Sequence, residues 1–428
     1  MTLASLDGLL SPKQLRSIAE ATARINLWEG AVRSGKTIAS LWRWLLYVAS
    51  APTGGELVMV GRTADTVFRN LLQPLMNADL FGSFARQVQY MPGARTARIF
   101  GRLVHIIGAN DVQAEAKIRG MTVAGAYVDE VTILPKVFWD QLVARISVPG
   151  AQLFGSTNPD SPAHWLKTDW LEAGNPSVRS WHFTLDDNGA LDPDYVAHLK
   201  RSYVGLWYRR FILGQWVIAE GAIYDMWDEQ QHVVDRLPNI VHWLGTGIDY
   251  GTTNPLHAVL IGRGDDRRLY ATAEYRYDSR AQRKQLTDVE YSQRYRDWLR
   301  QAPIPNTDLR GVTPGYHVLD PSAASFRIQL HQDGVNAHLA DNSVLDGIRT
   351  VSGLLGQRKL LIHRSCAELI KELPGYSWDP KASLAGEDKP LKVNDHGCDG
   401  LRYIIQTTQS VWRTHVSDPQ AYDLEHQF

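Results

Sequence analysis

The sequence predicts two α/β domains, the first of which is built on a sheet rich in parallel strands. The chain has 428 residues, which is too long for one ordinary domain. Its first half alternates short apolar runs with helical patterns, as expected of βαβ units. A second region rich in strands opens at His242. We therefore expect the boundary between Trp216 and Trp243 and place it near Arg236, which gives domains of residues 1–235 and 236–428.

The elements of each domain follow from the spacing of apolar residues. In the first domain a helix over Lys36–Ser50 has one apolar face, and residues from about 160 to 235 are expected to form a helical lid without a clear strand. The predicted strands of the first domain are Ile25–Glu29, Leu57–Gly61, Leu103–Ile107, Val123–Val128 and Gln152–Gly155. Those of the second domain are His242–Tyr250, Ala258–Gly262, Leu269–Tyr275 and His317–Leu319, and a helix is expected to begin at Asp395.

Composition excludes several classes of protein. The formal net charge is -1, so a basic surface over the whole chain is excluded, although a local basic face is not. The two cysteines, Cys366 and Cys398, exclude a disulfide framework and a zinc site with several cysteines. No signal-peptide pattern and no apolar run near the roughly 18 residues of a membrane helix is found. We expect a soluble, cytosolic protein.

A phosphate-binding loop is predicted between the first strand and the first long helix. Residues 30–37 read GAVRSGKT, so that Gly30, Gly35, Lys36 and Thr37 match G-x-x-x-x-G-K-[ST]. In such a loop backbone N–H groups surround phosphate, the lysine reaches the β- and γ-phosphates and the threonine hydroxyl binds Mg²⁺. The alternative is a glycine-rich turn that carries a lysine by chance. We expect ATP and Mg²⁺ here.

A pair of acids supplies the second half of this site. The apolar strand Val123–Val128 is followed directly by Asp129 and Glu130. Asp129 is expected to hold the hydrated Mg²⁺, and Glu130 to orient and deprotonate the attacking water. An acidic pair at a strand end is more often a helix cap, but the phosphate-binding loop favours the catalytic interpretation.

Four further residues are candidates for contact with the nucleotide. Ser34 and Arg33 belong to the loop itself, and Arg33 is expected to touch the γ-phosphate unless it is merely solvated. Gln14, ahead of the loop, either binds the adenine edge or is an exposed helix glutamine. Arg119 is either an arginine finger, acting towards a neighbouring subunit, or a solvated loop arginine.

Three carboxylates in the second half predict a metal site. Asp249 and Asp320 each end an apolar run, and Asp399 lies in the C-terminal helix, three positions after His396. Carboxylates in this setting are what a phosphodiester hydrolase needs to hold two Mg²⁺ or Mn²⁺ ions about 4 Å apart. The order strand acid, strand acid, helix acid is typical of RNase H-like nucleases. Glu274 ranks below these three because its neighbours suggest a surface edge.

Both sets of residues together resemble the large terminase subunit of tailed bacteriophages. The resemblance covers nearly the whole chain. Its motifs are the loop GAVRSGKT, the acidic strand GAYVDE, residues 155–159 with the His164–Trp165 pair, residues 214–216, residues 220–221 and the three acids above.

The resemblance implies an ATPase that drives double-stranded DNA into an empty capsid and a nuclease that cuts the concatemer. It implies Lys36 and Thr37 for ATP, Glu130 for catalysis, and residues 156–158 for coupling hydrolysis to movement. It assigns metal binding to Asp249, Asp320 and Asp399, places His396 near that metal and makes Arg119 similar to a finger acting in trans. The implied partners are DNA, a portal protein, a small terminase subunit and further copies in a ring, in the host cytoplasm and outside the virion, with no membrane.

Two other hypotheses compete with this interpretation. A helicase-like ATPase fused to a nuclease for DNA repair or recombination would require further helicase motifs after Asn158, and we find none. Alternatively, the second half is a DNA-binding module without catalysis.

Overall fold

A computed structural model describes residues 10–251 and 255–416, and the chain divides into two compact units. The first unit runs to Lys200 and adds Leu206–Ile218 and Leu384–Glu387. The second holds Arg201–Gly205, Ala219–Ser383 and the residues from Asp388 onward.

The last change of unit ahead of the second sheet falls between Ile218 and Ala219, before the predicted boundary near Arg236. Residues just after this point pair within the second unit: Ala222 forms a bridge with Ser377, and the Ile223 N–H donates to the Tyr376 carbonyl at 2.8 Å.

The first unit contains an eight-stranded sheet in the order β3-β4-β5-β2-β6-β7-β1-β8. Its strands are β1 (Ile25–Gly30), β2 (Glu56–Gly61), β3 (Val88–Tyr90), β4 (Thr96–Ile99), β5 (Arg102–Gly108), β6 (Val123–Val128), β7 (Gln152–Thr157) and β8 (Val178–Phe183). The six strands from β5 to β8 in this order are parallel, and the hairpin partners β3 and β4 are antiparallel. The predicted parallel-rich sheet is confirmed.

Strand β8 corrects the expectation that residues after 158 contain no strand. Its sequence, VRSWHF, carries polar residues among the apolar ones, and only Phe183 is fully buried. It pairs with β1 alone, at the edge of the sheet. An edge strand buries too little apolar surface to show a clear pattern in the sequence.

Helices cover the sheets and connect their strands. The predicted helix over Lys36–Ser50 has these bounds and packs its buried face, which includes Leu41, Leu45 and Val48, into the core of the first unit. In chain order the helices are α1 (Pro12–Glu20), α2 (Lys36–Ser50), α3 (Ala64–Val67), α4 (Gln73–Leu75), α5 (Ala78–Phe81), α6 (Lys136–Arg145), α7 (Pro193–Ser202), α8 (Gly205–Phe211), α9 (Glu229–His232), α10 (Asp288–Gln301), α11 (Ala324–Gln332), α12 (Val344–Gly356), α13 (Ala367–Glu372), α14 (Pro380–Leu384), α15 (His396–Thr407) and α16 (Gln409–Trp412). Within the described ranges, none is long and apolar enough to cross a membrane.

The second unit contains a seven-stranded mixed sheet in the order β14-β13-β10-β11-β12-β15-β9. Its strands are β9 (Val233–Val234), β10 (Ile240–Asp249), β11 (Leu256–Gly264), β12 (Leu269–Tyr277), β13 (Tyr316–Leu319), β14 (Ala337–Leu339) and β15 (Leu360–His363). Counted from β10, five neighbouring strands have the order 3-2-1-4-5, with the second strand antiparallel. This is the RNase H-like arrangement, so the predicted fold is confirmed.

Helix α15 lies unusually close to the central strand β10. A Cβ atom on Gly247 would stand 1.9 Å from the Gly400 carbonyl oxygen, and one on Gly400 would stand 3.0 Å from the Gly247 oxygen. Gly247 therefore needs to be glycine, since any side chain there would push the helix away from the strand, and a side chain at Gly400 would make an unusually tight contact. This contact brings the first turn of α15 to the carboxyl end of β10.

We expect Gly247→Ala to destabilise the second unit, because the added methyl group collides with helix backbone that cannot rotate away. Overpacking of this kind costs about 1–3 kcal/mol, which thermal unfolding should report as a lower melting temperature. Gly375→Ala is the matched control, since a Cβ atom there meets nothing within 4 Å. Equal melting temperatures for the two variants would contradict the close contact between α15 and β10.

Candidate active sites

The phosphate-binding loop holds its lysine in a buried position. Gly35 has a left-handed φ of 80° and directly precedes α2, so the loop turns sharply into the helix N-terminus. Lys36 is 5% exposed. Its Nζ donates to the Ala31 carbonyl at 3.0 Å and to Asn158 Oδ1 at 2.6 Å. The lysine is thus fixed beside the loop by two oxygen acceptors.

The predicted acids lie at the end of β6, next to this lysine. Asp129 is buried and accepts hydrogen bonds from Asn70 Nδ2 at 2.9 Å and Ser156 Oγ at 3.1 Å. Glu130 has a left-handed φ of 51°, and both its carboxylate oxygens lie 3.0 Å from Asn158 Nδ2. Asn158 therefore links Lys36 to Glu130, accepting from one and donating to the other.

Burial perturbs all three charged groups. It lowers the pKa of Lys36, against the attraction of Glu130 and Asp129. It raises the pKa of Asp129, whose hydrogen bonds to Asn70 and Ser156 act in the opposite direction. It also raises the pKa of Glu130 to about 7, which the charge of Lys36 partly offsets. The Asp129 carboxylate and the hydroxyl of Thr37, which is partly buried in the first turn of α2, are oxygen ligands of the type that Mg²⁺ prefers.

Gln14 supports the loop from α1. It is 2% exposed, so the alternative of an exposed helix glutamine is wrong. Its Nε2 donates to the Ser34 carbonyl at 3.3 Å, and its Oε1 accepts from the Ser11 N–H at 2.7 Å. A Cβ atom on Gly35 would stand 1.9 Å from Gln14 Nε2. Contact with an adenine base remains a prediction for this residue.

The two predicted arginines are exposed. Arg33 lies in the loop with a left-handed φ of 56°, and its carbonyl accepts from Asn188 Nδ2 at 2.7 Å. Arg119 forms an ion pair with Glu115, four residues earlier. This ion pair does not bring Arg119 to Lys36 or Glu130, so its role as a finger remains a prediction.

The three predicted aspartates of the second unit line one open cleft of about 790 Å³, together with His396. Asp249 ends β10, and Asp320 follows the adjacent parallel strand β13, since Ile248 and Leu319 are partners in the ladder. Asp399 lies in the first turn of α15. Parallel neighbours end at the same edge of a sheet, which explains why residues distant in sequence meet here.

Each aspartate has a polar partner that fixes its carboxylate. His396 Nδ1 lies 2.7 Å from Asp249 Oδ2, and Tyr403 donates to Asp320 Oδ2 at 3.1 Å. Asp399 accepts from two cations, at 2.5 Å from Lys392 Nζ and at 3.0 Å from the nearly inaccessible Arg402. Of these partners, the sequence predicts only His396.

These side chains suit a divalent cation in chemical kind. Burial raises the pKa of Asp249, and repulsion from Asp399 and Asp320 adds to that shift. The hydrogen bond to Asp249 in turn raises the pKa of His396. Within the described ranges no group of three or more His, Cys, Asp or Glu side chains is already arranged to hold a metal ion. A bound cation would relieve the mutual repulsion of the aspartates and would compete with Lys392 for Asp399.

The side chain of Glu274 is only 8% exposed and lies inside the sheet, which corrects the expectation of a surface edge. Strand β12 lies between β11 and β15, and Glu274 accepts from His257 Nε2 at 2.9 Å. It also accepts from the N–H groups of Glu368 and Leu369 at the start of α13, at 2.7 and 3.0 Å. Glu274 therefore caps a helix and is not grouped with the three aspartates.

Comparison with known proteins identifies the family. The family described as "Terminase large subunit, T4likevirus-type, N-terminal" matches residues 27–231. The structure of a large terminase from a thermophilic bacteriophage has a TM-score of 0.82 and 33% identity, over 94% of this chain and 98% of that one. The chain belongs to the large terminase family. The predicted family is thus confirmed.

This terminase chain is also similar to a second structure of that protein and to one further relative. The large terminase of the same thermophilic bacteriophage in complex with ATP-γ-S has a TM-score of 0.81 and 33% identity, over 94% of this chain and 99% of that one. The large terminase subunit of Escherichia phage T5 is 25% identical over 280 residues, which cover 62% of this chain and about 60% of that relative. These relatives do not favour the alternative of a repair or recombination helicase.

At least four polar residues that contact the candidate site residues of this terminase were missed by sequence reasoning, among them Tyr403 beside Asp320. Asn70 follows no recognisable motif, and only the fold brings it to Asp129. Lys392 and Arg402 flank Asp399 at spacings of seven and three residues. The spacing of Arg402 suits a shared helix face and could have been noticed, whereas Lys392 lies outside the helix.

We expect Asn158→Ala to slow ATP turnover by about 10²-fold while nucleotide affinity changes only a few fold. Without the amide, Glu130 loses its hydrogen-bond donor and Lys36 loses an acceptor, so the acid is no longer held in one orientation. Steady-state ATPase assays and binding of a fluorescent nucleotide measure the two effects. The surface variant Asn175→Ala serves as control, and wild-type turnover by Asn158→Ala would exclude the linking role.

Proposed function

We propose that the chain is the motor subunit that packages viral DNA. In this proposal ATP hydrolysis in the first unit drives double-stranded DNA into the procapsid, and a two-metal nuclease in the second unit cuts concatemeric DNA. The observation that carries the proposal is the link from Lys36 through Asn158 to Glu130. It joins the phosphate-binding lysine to the proposed catalytic acid. The related large terminase in complex with ATP-γ-S supports a nucleotide as ligand.

The proposed ATPase roles belong to the phosphate-binding loop and to the acids at the end of β6. Lys36 contacts the β- and γ-phosphates, while Gly30, Arg33, Ser34 and Gly35 surround them. Thr37 and Asp129 would hold Mg²⁺, and Gln14 would contact the adenine edge of the nucleotide. Glu130 orients the attacking water and accepts its proton.

Movement is coupled to hydrolysis through residues 156–158. Ser156 binds Asp129, and Asn158 binds Glu130. Thr157 Oγ1 lies 2.8 Å from Thr132 Oγ1 and accepts from the Thr132 N–H at 3.1 Å. A movement of Glu130 during hydrolysis would therefore be transmitted through Asn158 to the segment that follows β7.

The nuclease roles belong in this proposal to Asp249, Asp320 and Asp399, which would hold two Mg²⁺ or Mn²⁺ ions, with His396 beside them. When bound, the ions activate water and stabilise the leaving oxygen of the phosphodiester. The side chains supply orientation: His396 fixes the Asp249 carboxylate, and Tyr403 fixes that of Asp320. Arg276, Arg280 and Lys392 line the same cleft, and in this proposal they contact the DNA backbone.

The proposed partners follow from the same function. They are double-stranded DNA, a portal protein, a small terminase subunit and further copies of the chain in a ring on the procapsid. The proposed location is the host cytoplasm, outside the finished virion and away from membranes.

We expect Lys36→Ala to abolish ATP hydrolysis and to leave Mn²⁺-dependent DNA cleavage largely intact, and Asp249→Asn to do the reverse. The reason is that the two residues lie in different compact units. Phosphate release and plasmid cleavage are measured for each folded variant. If either substitution removed both activities, the proposal of two independent sites would be wrong.

If Arg119 completes the site of a neighbouring subunit, ATP turnover per chain should rise with protein concentration. An arginine finger raises the rate roughly 10³–10⁵-fold. A mixture of Glu130→Ala and Arg119→Ala chains should therefore regain activity that neither shows alone, because each chain supplies the residue that the other lacks. Phosphate release from the mixture is the measurement, and each variant alone is the control. No recovery, under conditions in which wild-type chains assemble, would exclude action in trans.

A further inference from the structure

A buried glutamate lies under the helix that presents two residues of the nuclease cleft. Glu372 ends α13 and is 5% exposed. Its Oε2 accepts from the Gly397 N–H at 2.6 Å and from the Cys398 N–H at 3.4 Å. Both N–H groups lie between His396 and Asp399, in the first turn of α15.

Helix α15 depends on this distant acceptor for its N-terminus. The residue before it, Asp395, makes no side-chain capping hydrogen bond. The first N–H groups of a helix have no partner within the helix and need one from elsewhere. A carboxylate at this end is also favoured by the helix dipole. Glu372, 25 residues earlier in the chain, fills the place of a local cap.

Counter-charges hold the Glu372 carboxylate in one orientation. Its second oxygen accepts from Arg276 at 2.9 Å and lies 3.7 Å from His257 Nδ1. His257 is fully buried and is held on its other side by Glu274, at 2.9 Å. With both oxygens occupied by donors, the carboxylate cannot turn without breaking a contact.

The backbone of α15 is shaped to receive this carboxylate. A Cβ atom on Gly397 would stand 2.6 Å from His257 Cε1 and 2.9 Å from Glu372 Oε2. Only glycine allows the imidazole and the carboxylate to approach so closely. The close packing of Gly400 on β10 fixes the same turn from its other side.

We propose that Glu372 is a positioning residue of the nuclease site: its carboxylate fixes the first turn of α15 and so orients His396 and Asp399 towards Asp249. This inference rests on the proposed nuclease function. Residues that orient metal ligands commonly change metal affinity by 10–100-fold when substituted. A residue that merely stabilises the fold would lower the melting temperature without changing the affinity of the folded protein for metal.

The test measures Mn²⁺ binding to the full-length chain by calorimetry, without nucleotide and well below the melting temperature. Glu372→Gln keeps the volume of the side chain, but a carboxamide cannot accept from both Arg276 and Gly397. We expect Mn²⁺ affinity to fall by about 10-fold, with ATP turnover within two-fold of wild type. Glu368→Gln is the matched control, because Glu368 lies on the same helix and its side chain pairs with Arg276 and Lys371, away from the N-terminus of α15.

The outcomes separate the two proposals. If Asp399→Asn binds as much Mn²⁺ as the wild type does, the proposed nuclease site is wrong. If wild type binds and Glu372→Gln binds equally tightly, the site stands and the positioning role is overturned. Equal losses for Glu368→Gln and Glu372→Gln would also overturn it.

A measurement on the wild type covers the case in which Glu372→Gln does not fold. Amide hydrogen exchange at Gly397 and Cys398 should be slow, comparable with the interior of α15, because Glu372 accepts from both groups. Fast exchange at these two amides would show that the bonds to Glu372 do not hold the turn, and the positioning role would then be excluded.

Discussion

Ionised groups can be buried only if other polar groups satisfy them, and both candidate sites are built around this constraint. Burying an unpaired charged group costs several kcal/mol, and the pKa of such a group shifts so that its neutral form is favoured. In the first unit Lys36 and Glu130 share Asn158 as a partner, and Asp129 has Asn70 and Ser156. The charges are thereby held apart from water and still in place to meet a nucleotide.

In the second unit, cationic side chains satisfy most of the buried acids. Asp399 lies between Lys392 and Arg402, and Glu372 lies between Arg276 and the N–H groups of α15. The close contact of Gly247 with Gly400 makes this arrangement possible, since it lets the helix backbone reach the central strand. Close packing of the backbone therefore places the acids in the cleft, and pairing with cations then stabilises them there.

Local patterns were enough to predict much of the fold and most of the candidate site residues. The loop at 30–37 and the acids at strand ends each have a signature within a few residues, and α2 has the predicted bounds. Strand β8 escaped because an edge strand carries little apolar pattern. The roles of Asn70 and Glu372 were not predicted because their hydrogen-bond partners lie 59 and 25 residues away in the sequence, and such pairings depend on the folded chain.

The proposal that one chain holds two separate active sites is tested most directly by incubating purified wild-type protein with supercoiled plasmid and Mn²⁺ in the absence of ATP. A nuclease site made of Asp249, Asp320 and Asp399 predicts relaxed and linear DNA, since none of its side chains belongs to the unit that holds the phosphate-binding loop. Intact plasmid, or cleavage that appears only when ATP is added, would contradict it.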